Sequence, residues 1–171
     1  MADTNNIFLI GMMGSGKSSV AKELAKKLNM KSCDIDDDIE SLTELTITEI
    51  FSKYGEKRFR EMESIYFIEK SKQNGTIFST GGGIILNDKC REILINNGLT
   101  FFLDAPVNIL AERLKKLSNR PLLIKKNKKV PISKYYNDRI DHYRNCSNHI
   151  IQTENSNPKS IADKIIEYYN G

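Results

Sequence analysis

The run Gly11-Met12-Met13-Gly14-Ser15-Gly16-Lys17-Ser18 constrains this chain more than any other feature, because it fits the pattern G-x-x-x-x-G-K-[ST]. Glycines at this spacing let the backbone curl until successive N–H groups point at a chain of phosphates. The context suits that mechanism. Residues 6–10 (NIFLI) read as a buried strand before the loop. Residues 18–29 read as an amphipathic helix after it, with Val20, Leu24 and Leu28 on one face. The helix adds the positive end of its dipole, Lys17 a fixed cation for the β and γ phosphates, and Ser18 a hydroxyl for Mg²⁺. A chance glycine turn would not need this frame. The loop predicts that a nucleotide binds, but not what becomes of it.

The remaining chain alternates β-like and helical runs. Residues 31–34, 76–79, 99–103 and 149–153 read as further strands. Helices are expected at 88–97 with Gly98 at C′, at 107–117, at 133–145 and at 158–169 with Pro158 at the first position. Thr46 and Glu49 form a T-x-x-E capping box that opens a helix towards Tyr54; Gly55 breaks it, and a charged helix resumes to about residue 73. Residues 118–131 are polar, Lys-rich and bounded by two prolines, which reads as a long loop. Strands alternating with helices imply one α/β domain with a mainly parallel sheet covered on both faces.

Composition narrows the class. The 171 residues are 39% hydrophobic and 28% charged, which excludes collagen-like and low-complexity chains and argues against wholesale disorder. No apolar run approaches the ~18 residues of a membrane helix, and the N-terminus lacks the pattern of a secretory signal. Cys33, Cys90 and Cys146 are widely spaced without a C-x-x-C pair, as expected of reduced thiols in a cytoplasmic protein. The net charge of +4 is scattered apart from Lys125, Lys126, Lys128 and Lys129, so a nucleic-acid surface is not expected. His142 and His149 are too isolated to suggest a metal site. Nothing resembles an interface patch, and a monomer is the default.

Several constellations bear on the second substrate. Asp34-Ile35-Asp36-Asp37-Asp38 follows the second strand, at the carboxyl edge where ligands of parallel sheets bind. Alternation along an extended chain would send Asp34 and Asp36 to one side. One could then hold water on Mg²⁺ while the other orients a hydroxyl nucleophile. Asp37 and Asp38 suit an acidic helix start. Arg60, within Gly55-Glu56-Lys57-Arg58-Phe59-Arg60-Glu61-Met62-Glu63, suits bidentate carboxylate recognition. Taken alone it reads as a solvated surface residue, as does Arg139 with Tyr143 four residues on. Gly81-Gly82-Gly83 after Thr80 is either a flexible turn or a close backbone approach to a ligand. Arg120, opening the long loop as Arg120-Pro121-Leu122-Leu123, could swing over phosphates and stabilise charge. Cys33 reads as a small buried residue near the site.

In this order, GMMGSGKSS at 11–19, DID at 34–36, GEKRFREME at 55–63, TGGG at 80–83, RPLL at 120–123 and Arg139 with Tyr143 resemble the shikimate kinase family over nearly the whole chain. The resemblance implies a three-layer P-loop NTPase fold like that of nucleoside monophosphate kinases, with a five-stranded parallel sheet in order 2-3-1-4-5. It further implies transfer of the γ-phosphate of ATP to the 3-hydroxyl of shikimate with one Mg²⁺, a step of chorismate and aromatic amino-acid biosynthesis. The core would be 1–34, 76–117 and 146–171, the substrate-binding segment 35–75, and the lid 118–131.

By resemblance, Gly14, Ser15, Gly16, Lys17, Ser18 and Ser19 would cradle ATP, with Ser18 on Mg²⁺ and Asp34 organising the metal through water. Asp36 would grip shikimate hydroxyls and serve as base. Arg60 and Arg139 would clamp the carboxylate, Gly81, Gly82 and Gly83 would line the pocket, and Phe51 and Phe59 would form apolar walls. Lys17, Asp36 and Arg120 would be catalytic, and Arg113 and Ser156 would lie around the adenine. Two positions depart from the family pattern: Asp141 stands where proline is usual, and Cys33 where an aromatic is frequent. The chain lacks the DxxG and NKxD of a GTPase. Other readings are a gluconate or nucleotide kinase of the same fold, and a silent paralogue that binds nucleotide and acts through a partner.

Overall fold

The computed structural model describes residues 5–116, 124–125 and 128–171. The strands of its main sheet are β1 (Asn6–Ile10), β2 (Lys31–Asp34), β3 (Thr76–Ser79), β4 (Gly98–Asp104) and β5 (His149–Gln152). They form one parallel sheet in the order β2-β3-β1-β4-β5. The helices are α1 (Lys17–Leu28), α2 (Ile35–Thr43), α3 (Ile47–Lys70), α4 (Asp88–Asn96), α5 (Val107–Lys115), α6 (Ile132–Cys146) and α7 (Pro158–Asn170).

Alternation along β1 explains the three layers. Ile7 and Leu9 pack on Val20 and Leu24 of α1 and Ile161 and Ile165 of α7. Phe8 and Ile10 pack on the other face, with Phe67 of α3, Leu94 of α4 and Tyr143 of α6. Phe8 stacks on Phe78 at 5.2 Å and meets the edge of Phe67 at 5.7 Å. Each such side chain contributes about 1.5–3 kcal/mol through burial. Buried Asn6 ties the base of the sheet together. Its amide donates to Ser71 O and Gln73 O, and its Oδ1 accepts from Thr76 N at 3.0 Å.

The expected strands, the capping box at Thr46 and the break at Gly55 all appear. Gly55 takes φ 82° and ψ 166° inside α3, so the half of α3 that bears Arg60 and Glu63 is set at an angle to the first half.

Three local expectations are corrected. Gly98 is the first residue of β4 rather than a helix cap, and its lack of Cβ admits the backbone oxygen of Asn6. Residues 118–131 contain a short antiparallel ladder, with Ile124 opposite Lys129 and Lys125 opposite Lys128. Residues 35–43 are helical, because the Asp34 carboxylate accepts from Asp37 N and caps α2. The strand therefore ends at Asp34, and extended alternation cannot place Asp36.

Candidate active site

The loop after β1, the end of β2 and the turn after β3 converge at the carboxyl edge of the sheet. There they bound a cavity of ≈ 320 Å³. Gly14, Gly16, Lys17, Ser18 and Ser19 of the phosphate loop line it together with Arg113, Asp34, Asp36, Ser79 and Gly82. Gly16 adopts φ 92° at the cap of α1, a conformation that leaves the first helical N–H groups facing the cavity. Ser15 is buried beneath the loop, and its N–H bonds back to Met12 O at 3.2 Å. Lys17 is buried and donates to Gly11 O and Met12 O at 2.9 Å each, so its ammonium lies inside the curl of the loop.

The two sequence-predicted carboxylates part company. Asp34 accepts from Ser18 Oγ at 2.5 Å while capping α2, and Ser79 Oγ stands 3.3 Å from Ser18 Oγ. Asp36, in the first turn of α2, turns towards Gly81 and α3. Its Oδ1 is buried without a hydrogen-bond partner. Burial, then the carboxylates of Glu63 and Asp34, push the Asp36 carboxyl up to about 7, against the pull of Lys17 and Arg60.

On α3, Arg60 donates to Glu63 Oε2 at 2.6 Å, one helical turn on. Burial opposes the Arg60 charge, but Glu63 outweighs it, with help from Glu56 and Asp36, and holds the guanidinium above its ordinary pKa. Arg60 Nε and Glu63 Oε1 are buried without hydrogen-bond partners, like Asp36 Oδ1, and the contact of Arg60 Nε with Glu56 Oε1 is a longer ion pair at 3.9 Å. Three polar atoms without hydrogen bonds thus belong to side chains, from two helices, that press on one turn. The glycines of that turn are needed for space. A Cβ on Gly81 would collide with Glu63 Oε1 and come within 3.0 Å of Asp36 Oδ1, and one on Gly83 would fall on the Arg60 guanidinium.

Arg139 is not the surface residue its sequence neighbourhood suggests. It is 3% exposed, lies 5.0 Å over the Tyr135 ring and donates to Gly82 O at 3.2 Å. Tyr143, whose hydroxyl burial pushes up to about 12, also donates to Gly82 O. Helix α6 therefore fastens the glycine turn from behind. Phe59 is buried with its ring 5.1 Å from Phe51.

Arg113 binds backbone as well as lining the cavity, reaching Gly14 O at 3.3 Å and Thr153 O at 2.9 Å. Ser156 lies in the turn after β5, with its N–H on Thr153 O. Arg120 lies outside the described residues. The sequence reasoning missed Glu63 and Ser79. Glu63 was legible as the charge three residues after Arg60, but only its 1% exposure distinguishes it from the solvated charges around it. No local signal marks Ser79.

Among the described residues no three His, Cys, Asp or Glu side chains gather as a metal cluster. Among the described residues no helix is long and apolar enough to cross a membrane. The pairing of Ser18 with Asp34 suits Mg²⁺, which takes few protein ligands and keeps several waters.

The shikimate kinase family model matches residues 13–170. The chain is 41% identical to a shikimate kinase of Thermodesulfovibrio yellowstonii over 96% of its length and 94% of the relative's. It is 38% identical to one of Caldicellulosiruptor bescii over 96% and 95%. A solved shikimate kinase of Acinetobacter baumannii in complex with shikimate superposes with TM-score 0.91 at 33% identity, covering 96% of this chain and 92% of the other. A phosphate loop, a parallel sheet in the order 2-3-1-4-5 and a matching sequence along nearly its whole length place this chain in the shikimate kinase family.

Proposed function

We propose that the protein transfers the γ-phosphate of ATP to the 3-hydroxyl of shikimate, giving shikimate 3-phosphate and ADP, in chorismate and aromatic amino-acid biosynthesis. One observation carries this reading: Asp36 Oδ1, Glu63 Oε1 and Arg60 Nε are buried without hydrogen-bond partners, on side chains packed against the Gly81–Gly83 turn, and Asp36 and Gly82 line the cavity of the phosphate loop. Leaving such groups unpaired is costly. A hydroxylated carboxylate answers them, offering hydroxyls to the carboxylates and its acid group to the guanidinium.

In this reading the loop 14–19 cradles the phosphates and Lys17 attends the β and γ phosphates. Arg60 and Arg139 clamp the substrate carboxylate, and Gly81, Gly82 and Gly83 form the pocket floor. Asp36 orients the accepting hydroxyl and receives its proton. A carboxyl with a pKa near neutrality suits that exchange. Ser18 directly, and Asp34 through water, would hold Mg²⁺, which when bound neutralises phosphate charge. Arg120 would stabilise the transferring phosphoryl group. Arg113 and Ser156 would border the adenine.

Residues 1–34, 76–117 and 146–171 would serve as the core, 35–75 as the substrate-binding segment and 118–131 as a lid that excludes water. The protein would work as a cytoplasmic monomer, without nucleic-acid or membrane partners. A coupled ADP-release assay with shikimate, gluconate and nucleoside monophosphates tests the reading: turnover should require shikimate, and ATP turnover indifferent to shikimate would overturn it. Arg60→Ala should raise KM for shikimate, and an unchanged KM would remove Arg60 from the clamp.

A further inference from the structure

The Asp36 carboxylate has no hydrogen bond on Oδ1 and faces the like charges of Glu63 and Asp34. Of the charges on α3, Glu63 repels it and Arg60 attracts it, so its own contacts do not fix it beside α3, where the site needs it. Two residues on, the opposite holds. Asp38 Oδ2 accepts from the Tyr66 hydroxyl of α3 at 2.8 Å and from Cys33 Sγ of β2 at 3.2 Å. Tyr66 lies three residues beyond Glu63, on the same side of α3, and Lys70 Nζ sits 5.4 Å from the centre of its ring. One oxygen thus joins the end of β2, the first turn of α2 and the site-bearing half of α3.

We infer that Tyr66 and Asp38 are positioning residues for the phosphoryl transfer, holding the first turn of α2 against α3 so that Asp36 stays beside Glu63 and Arg60. The inference rests on the function proposed above. Neither residue lines the cavity, so their effect passes through the backbone of α2. Small displacements of a reacting group are costly in rate: about 1 Å can cost ~100-fold.

The test is steady-state kinetics of Tyr66→Phe, Asp38→Ala, the double variant and Asp38→Asn, with the folded fraction of each measured by circular dichroism. Tyr66→Phe keeps the ring and loses only the hydroxyl. It should lower kcat about tenfold per folded molecule while leaving KM for ATP within twofold. Asp38→Ala, which also loses the Cys33 contact, should lower kcat at least as much, and the double variant should be no worse than Asp38→Ala, because all three break the tie between Tyr66 and Asp38. Asp38→Asn keeps an acceptor for the tyrosine and should restore kcat to near that of the unmodified chain. A kcat for Tyr66→Phe within twofold of the unmodified value, or losses that multiply in the double variant, would overturn the inference alone. Failure of the unmodified chain to phosphorylate shikimate would overturn both the inference and the proposed function.

Discussion

Replacing Asp36 by Asn keeps the shape of the side chain and removes its charge, which separates what the carboxylate does for turnover from what it costs the fold. Burial and the neighbouring carboxylates raise the group from 3.8 to about 7. Between those pH values the native state holds a proton that the unfolded chain has released. Stability therefore falls as pH rises through this window, and the loss is complete above it. At about 1.4 kcal/mol per unit, the climb from 3.8 to about 7 corresponds to about 4 kcal/mol. Residual structure in the unfolded chain reduces that figure, so about 2–4 kcal/mol is expected.

Asp36→Asn should gain this amount at pH 8.5, a Tm rise of several degrees for a domain of this size. It should gain nothing near pH 4. Its amide also offers a donor to Glu63 Oε1, which lacks one. The assay is urea unfolding of both proteins from pH 4.5 to 8.5, without nucleotide and with EDTA, alongside turnover and nucleotide binding at neutral pH. A more stable, inactive variant with nearly unchanged ATP affinity is the expected outcome. An equal stability difference at pH 5 and pH 8.5 would refute the reasoning, because a charge effect must grow as the proton leaves.

Gly83→Ala places a methyl on the Arg60 guanidinium, so KM for shikimate should rise about tenfold or more while KM for ATP barely moves; equal rises in both would argue against a local displacement. Arg113→Ala removes the bridge between Gly14 O and Thr153 O and should weaken ATP severalfold, measured by titration calorimetry, with shikimate affinity unaffected. Phe67→Ala empties a fully buried position against Phe8 and Phe78 and should cost about 3–5 kcal/mol in urea unfolding. Removing Mg²⁺ with EDTA should abolish turnover and leave the apo protein's unfolding midpoint unchanged, since no described cluster of three acidic, His or Cys groups depends on a cation for its structure.

Short apolar runs such as NIFLI and TIFS read as strands because both faces of a parallel sheet are covered. The capping box at Thr46 and the break at Gly55 were legible because caps and glycines act within a few residues. Helix α2 was legible only as an acidic start at Asp37 and Asp38. Its sequence IDDDIESLT is rich in residues that also favour turns, and the Asp34 cap that starts it looks like one more acid in a row. Arg139 was legible as a clamp only through the family resemblance, and for a different reason its interior position was not legible locally. Its burial depends on Tyr135 and Gly82, and Gly82 lies 57 residues away along the chain.

The sequence alone settled what local geometry can settle. A glycine loop between strand and helix is built for phosphates wherever it occurs, and the alternation of runs leaves little choice but a covered parallel sheet. What it could not settle is which charges are spent on water and which on a ligand. Arg58 and Arg60, or Glu61 and Glu63, are near-identical neighbours in sequence; Arg58 and Glu61 pair at the surface, whereas Arg60 and Glu63 pair in the interior. Desolvation and Coulomb interaction depend on distance through space, so only the packing of α2, α3 and the glycine turn gives Asp36 its displaced pKa and leaves three buried polar atoms without a hydrogen bond.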